Sequence, residues 1–73
     1  MKYVLDLHGV KHENVARKCN EFMSRIWGRA EWAEIITGNS QRMRSEVFDA
    51  LHDYDVEVKV AARNPAILLI NLD

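Results

Sequence analysis

The chain has 73 residues, 48% of them apolar and 29% charged, which suits one small folded domain (1–73) and leaves no room for a second core. Its formal net charge of -1 excludes binding to nucleic acid by bulk electrostatic attraction, so any such contact has to come from a local basic patch. One cysteine excludes an internal disulfide and a cysteine-built zinc site, and with no signal-peptide pattern and no apolar run near the about 18 residues of a membrane span, a cytoplasmic, membrane-free setting is expected.

Tyr3–Leu7 reads as a short strand, Tyr-Val-Leu-Asp-Leu. Side chains alternate along a strand, so Asp6 and His8 are expected on one face and Leu5 and Leu7 on the other, with Gly9 turning the chain directly afterwards. Val15, Cys19, Phe22, Met23 and Ile26 form the ladder of an amphipathic helix, which makes Cys19 a core residue. Its amino end has no Ser, Thr, Asp or Asn cap at Val10-Lys11-His12, although Glu13 favours the helix dipole, and Gly28 suits the left-handed residue that ends it. Trp27 and Trp32 flank the next connection and are expected as lids closing the core. Trp32–Thr37 is the second strand. Asn39 or Ser40 then caps a second helix with its ladder at Met43, Val47, Ala50, Leu51 and Tyr54. Val56–Val60 alternates as a strand with one wet face, Arg63-Asn64-Pro65 is a turn, and Ala66–Leu72 is a last, mostly apolar strand.

The order βαβαββ predicts an α/β chain folded as an α+β two-layer sandwich. Its four-stranded mixed sheet carries two helices on one face, with the last two strands antiparallel. Asp6 and His8 are then expected on the open sheet face with Glu57 and Lys59.

Loops after the carboxyl ends of parallel strands gather at one edge, where such sheets bind ligands. Here these loops are His8–His12 and Thr37–Ser40. The second leads into a helix amino terminus, whose unpaired N–H groups suit a phosphate, with Lys11, Arg42 and Arg44 nearby as phosphate contacts. Imidazole is the side chain that ordinarily exchanges protons near neutrality, so His8 is the candidate acid or base. Asp6 either supports it or accepts backbone N–H groups of the following loop. His12 is a further phosphate contact. No cofactor is expected, and a divalent ion held by Asp6, His8 and His12 is the minor alternative.

Leu5-Asp6-Leu7-His8-Gly9 followed by Ile35-Ile36-Thr37-Gly38 resembles the Smr (small MutS-related) domain, with its LDLHG signature and (H/T)GxG loop. Met43-Arg44 and Val47 look like the Leu-Arg and Val of that family's second helix. The resemblance implies a fold similar to the carboxyl-terminal domain of bacterial translation initiation factor three. It also implies nucleic-acid binding with endonuclease activity on RNA, including mRNA on ribosomes, or on structured DNA. The cleavage residues of the family map onto His8 and Asp6, and its glycine loop onto Thr37 and Gly38. Gly9, Lys11, His12, Asn39, Ser40, Arg42 and Arg44 complete the expected nucleic-acid contacts. The chain departs from the pattern at Ser40, where the second glycine would stand, and at Arg63–Ala66, which replaces a glycine-rich turn. The expected partner is thus RNA or structured DNA, with the ribosome or another protein in addition, and the expected state a monomer or weak homodimer. The competing readings are a non-catalytic nucleic-acid-binding module and a protein-interaction domain using the open sheet face.

Overall fold

The computed structural model describes residues 2–72. In chain order the elements are β1 (Val4–Asp6), a one-turn 3-10 helix (His12–Asn14), α1 (Val15–Ile26), β2 (Trp32–Ile36), α2 (Gln41–Leu51), β3 (Glu57–Val60) and β4 (Ile67–Asn71). The βαβαββ order, the two helices and the open four-stranded mixed sheet follow the reading of the sequence.

The sheet order is β1-β2-β4-β3. β1 runs parallel to β2 with Leu5 opposite Ile35, and β4 is antiparallel to both β2 and β3. The crossover through α2 therefore leaves one strand's width between β2 and β3, and the chain returns from β3 to fill it. The composition explains the placement. β4 is Ile-Leu-Leu-Ile-Asn, the most apolar strand, and a central strand has neighbours on both sides. The strands left at the edges carry charge, Asp6 on β1 and Glu57 and Lys59 on β3, which discourages pairing with other chains.

One face of this sheet makes the core. Leu7, Ala33, Ile35, Leu68 and Ile70 meet Val15, Cys19, Phe22, Met23 and Ile26 of α1 and Met43, Val47 and Leu51 of α2 in a single cluster, so both helices cover the same face. Each fully buried Leu, Ile or Phe in this set contributes roughly 1.5–3 kcal/mol relative to leaving it in water. Ser40 is the cap of α2, its Oγ accepting from the Met43 N–H at 3.0 Å. Gly28 (φ 80°) ends α1 as expected.

Three expectations are corrected. β1 ends at Asp6 rather than Leu7, and His8 lies in the following turn, although the Leu7 N–H still reaches Ile36 O at 2.9 Å. Trp32 is no lid. Ala33 and Ile35 face the core, so strand parity turns Trp32 to the open face, where it is 51% exposed. Tyr54 lies beyond the end of α2, where it packs on Trp27 with ring centroids 5.9 Å apart and donates its hydroxyl to Asn20 Oδ1 at 2.8 Å.

Candidate active site at the loop edge

Parallel pairing of β1 and β2 brings the two βα loops side by side at the carboxyl ends of these strands. The Leu7–Ile36 hydrogen bond is the last rung, and His8-Gly9 and Thr37-Gly38 diverge from it. Gly9 and Gly38 adopt φ of 79° and 69°, and a Cβ at either position would meet nothing within 4 Å. Both glycines thus serve the left-handed turn itself and not a close backbone approach.

The Asp6 carboxylate does not reach the His8 ring. Its Oδ1 accepts the His8 backbone N–H at 2.8 Å, closing an Asx turn that ends the strand and sets the path of the loop. The His8 side chain is exposed, and neither ring nitrogen has a hydrogen-bond partner among the described residues. Of the two roles open to Asp6, the structure shows the backbone one.

The second loop is tied down. Thr37 is buried; its N–H donates to Ala66 O at 2.8 Å and its hydroxyl lies 3.2 Å from the same oxygen and 3.0 Å from Gly38 O. The Gly38 N–H donates to Ala66 O as well, at 3.1 Å. Arg44 turns its Nη1 to the carbonyls of Pro65 (3.3 Å) and Gly38 (3.5 Å). The turn at Pro65 is shaped by Asn64, whose Oδ1 accepts the Ala66 N–H at 3.0 Å. Residues 63–66 are therefore part of the site's wall, although they lack the expected glycines. Thr37, Gly38 and Arg44 hold this wall together, and Ser40 spends its hydroxyl on the helix cap. Lys11, Asn39 and Arg42 remain exposed at the edge.

No family model matches the chain, and neither does any curated protein or solved structure. The chemistry of the site has to be read from its own residues.

Among these, Glu46 carried no signal in the sequence beyond its helical spacing from Arg42. In the fold, Arg42 Nε donates to Glu46 Oε1 at 3.0 Å, and His12 Nδ1 lies 2.9 Å from the same oxygen, off the in-line direction of a full hydrogen bond. His12 Nδ1 and Glu46 Oε2 are both closed off from solvent. Asp6, His8 and His12 do not converge on a common point as metal ligands, nor does any other trio of His, Cys, Asp and Glu among the described residues. The edge thus presents an unpartnered imidazole at His8, a carboxylate-backed imidazole at His12, and the cations Lys11 and Arg42. Such a set can take up and release protons next to a bound phosphodiester.

Proposed function

We propose that this chain is a nucleic-acid-binding domain of the Smr type that cleaves the phosphodiester backbone of RNA or structured DNA. His8 acts as the acid or base, and Asp6 supports it through the backbone. The observation that carries this reading is the state of His8. The ring is exposed and unpartnered, yet its backbone is held by the Asp6 carboxylate at the junction of the two βα loops, and the segments that follow these loops carry the exposed Lys11 and Arg42. Lys11 and Arg42 supply the local cations that the overall charge does not.

The test is incubation of the protein with matched labelled single-stranded RNA, duplex and branched DNA, with and without EDTA, alongside His8→Ala. Cleavage by the wild type and its loss by about 10²–10⁴-fold in a folded His8→Ala variant is the expected result. Cleavage at an unchanged rate by the variant refutes the assignment. Salt-sensitive binding without product, weakened by Arg42→Ala, would instead identify a binding module.

A second reading has its own observation. The open sheet face exposes Trp32, with Ile36, Ile67 and Leu69 half-buried on the same side, which favours contact with another protein or copy. Sedimentation as a strict monomer, with no copurifying partner, would count against it.

A further inference from the structure

Both helices cover one face of the sheet, and the strand register fixes the pattern of side chains on the other. From the β1 edge to the β3 edge, the row through Trp32 reads Lys2, Trp32, Asn71, Glu57. The middle row reads Val4, Glu34, Leu69, Lys59. The row nearest the loop edge reads Asp6, Ile36, Ile67, Ala61. Lys2 and Ala61 continue the registers just beyond β1 and β3, Lys2 with its Nζ 3.2 Å from Glu34 Oε2 and Ala61 with its N–H on Ile67 O at 2.9 Å. Trp32 projects from this face, and beside it a hollow of about 420 Å³ lies over β4 and β3, walled on its far side by Glu57, Lys59, Leu69 and Asn71.

We propose that this face pairs with the same face of a second copy of the chain, about a two-fold axis that runs along the strands between β2 and β4. The pairing rests on the protein-contact reading above, names its occupant, and does not depend on cleavage. Rotation about such an axis exchanges β1 with β3 and β2 with β4 and keeps each row opposite itself. Lys2 then meets the other copy's Glu57, and Ile36 meets Ile67. The Lys59 stem crosses the other copy's Val4, with its ammonium towards Asp6 in the next row. Glu34 stands opposite Leu69, but its charge is already met by Lys2 and its side chain is only 14% exposed. Each Trp32 comes down over the other copy's Asn71, at the hollow between β4 and β3. Knob and hollow thus lie on the same surface, on opposite sides of the axis, and every contact is made twice.

Charge selects this axis over the other one open to two stacked sheets. A two-fold axis across the strands would turn the middle row onto itself, setting Glu34 against Glu34 and Lys59 against Lys59. The axis along the strands sets no like charges opposite one another, and it agrees with the aligned packing that twisted sheets adopt. Strands about 4.8 Å apart and five residues of about 3.3 Å each give a footprint of roughly 19 by 17 Å. This is below the about 800 Å² per partner of a standard interface, so the dimer is a weak one. Its axis leaves the loop edges of both copies at the same end.

The experiment is sedimentation equilibrium of the full chain at low salt, from about 5 to about 500 µM. Trp32→Ser, Lys2→Glu, Glu57→Lys and an equimolar mixture of the last two are compared with the wild type, each checked for its fold by circular dichroism and thermal melting. The wild type should dimerise with a Kd of roughly 10–100 µM. Association should weaken by about tenfold or more in Trp32→Ser, and by about tenfold in each charge reversal, where like charges meet twice. The mixture should recover association close to that of the wild type, because in the mixed pair each lysine again faces a glutamate. Dimers that all three substitutions leave intact, or a mixture no tighter than its components, would overturn this face and axis. A wild type that stays monomeric throughout overturns the pairing. A different protein copurifying with that monomer and lost from Trp32→Ser would leave the protein-contact reading standing, and the lack of one would overturn that reading too.

Discussion

The role of Asp6 separates two mechanisms that look alike in sequence, and one pair of substitutions distinguishes them. Its Oδ1 accepts the His8 backbone N–H at 2.8 Å on an exposed turn. In Asp6→Asn the amide oxygen takes over this acceptor position, and only the charge assistance is lost. A bond to a charged group is worth about 1.5–3 kcal/mol, and much less on an exposed turn where water can replace it. The expected cost to stability is therefore a few tenths of a kcal/mol, and cleavage should stay within about threefold of wild type, because His8 keeps its place. Asp6→Ala removes the acceptor, releases the turn and should lower cleavage about tenfold or more through misplacement of His8. Had the carboxylate oriented the imidazole, the asparagine variant would reverse the donor it meets and lower kcat by about 10⁴-fold. The assay is single-turnover cleavage of labelled RNA by the three proteins, together with hydrogen exchange of the His8 amide, which should stay protected in Asp6→Asn and exchange faster in Asp6→Ala. A collapse of activity in Asp6→Asn with the His8 amide still protected would refute the backbone role.

Thr37→Val removes the buried hydroxyl but leaves Ala66 O with the Thr37 and Gly38 N–H donors, so stability should fall by about 1 kcal/mol, or about 4–8 °C in Tm, while RNA affinity is unchanged; weaker binding at unchanged Tm would show that Thr37 meets the substrate instead. Ser40→Ala leaves the Met43 N–H uncapped and should cost about 1 kcal/mol in urea denaturation, whereas Ser40→Asp should not. Burial pushes the Cys19 thiol up from 9.0 to about 11. The native state then holds its proton more tightly than the unfolded chain. This contribution is intact below about pH 9 and is lost as pH rises towards 11, a fall of about 2–3 kcal/mol that urea titrations at pH 8 and 11 should show and Cys19→Ala should not.

What the sequence disclosed depended on the range of the interaction. The helical ladders, the Ser40 cap and the alternation in β3 are local patterns; the α1 ladder and the cap appear in the fold, the α2 ladder stops short of Tyr54, and the alternation in β3 holds through Lys59 but leaves Val60 exposed. The outward side of Trp32 was also present as parity, since it shares a face with Glu34 once Ile35 points inwards; flanking position was the weaker guide. The end of β1 followed from Asp6 as well, because a short acceptor side chain two residues before an available N–H competes with strand continuation. The insertion of β4 between β2 and β3 is set by which strand gains most from two neighbours, a comparison across the whole chain. The contact between His12 and Glu46 spans a helix, a strand and a loop, and no local spacing announces it.

The two loops at the edge differ in how they are held. Ala66 O takes the Thr37 and Gly38 N–H groups and lies within reach of the Thr37 hydroxyl, and Arg44 ties the Gly38 and Pro65 carbonyls together. Moving the β2 exit therefore breaks several hydrogen bonds at once, one of them buried. The β1 exit is held by the Leu7 N–H on Ile36 O at 2.9 Å, by the Val10 N–H on Leu7 O at 3.0 Å and by the Asp6–His8 bond, the last of these exposed. Local opening follows the number and burial of the bonds broken, so the exposed Asp6–His8 turn opens more readily than Thr37-Gly38. His12 stands on the far side of that turn, its Nδ1 2.9 Å from Glu46 Oε1 on α2 but without a hydrogen bond to it. The fold thereby sets one imidazole beside a helix carboxylate and the other on an exposed turn.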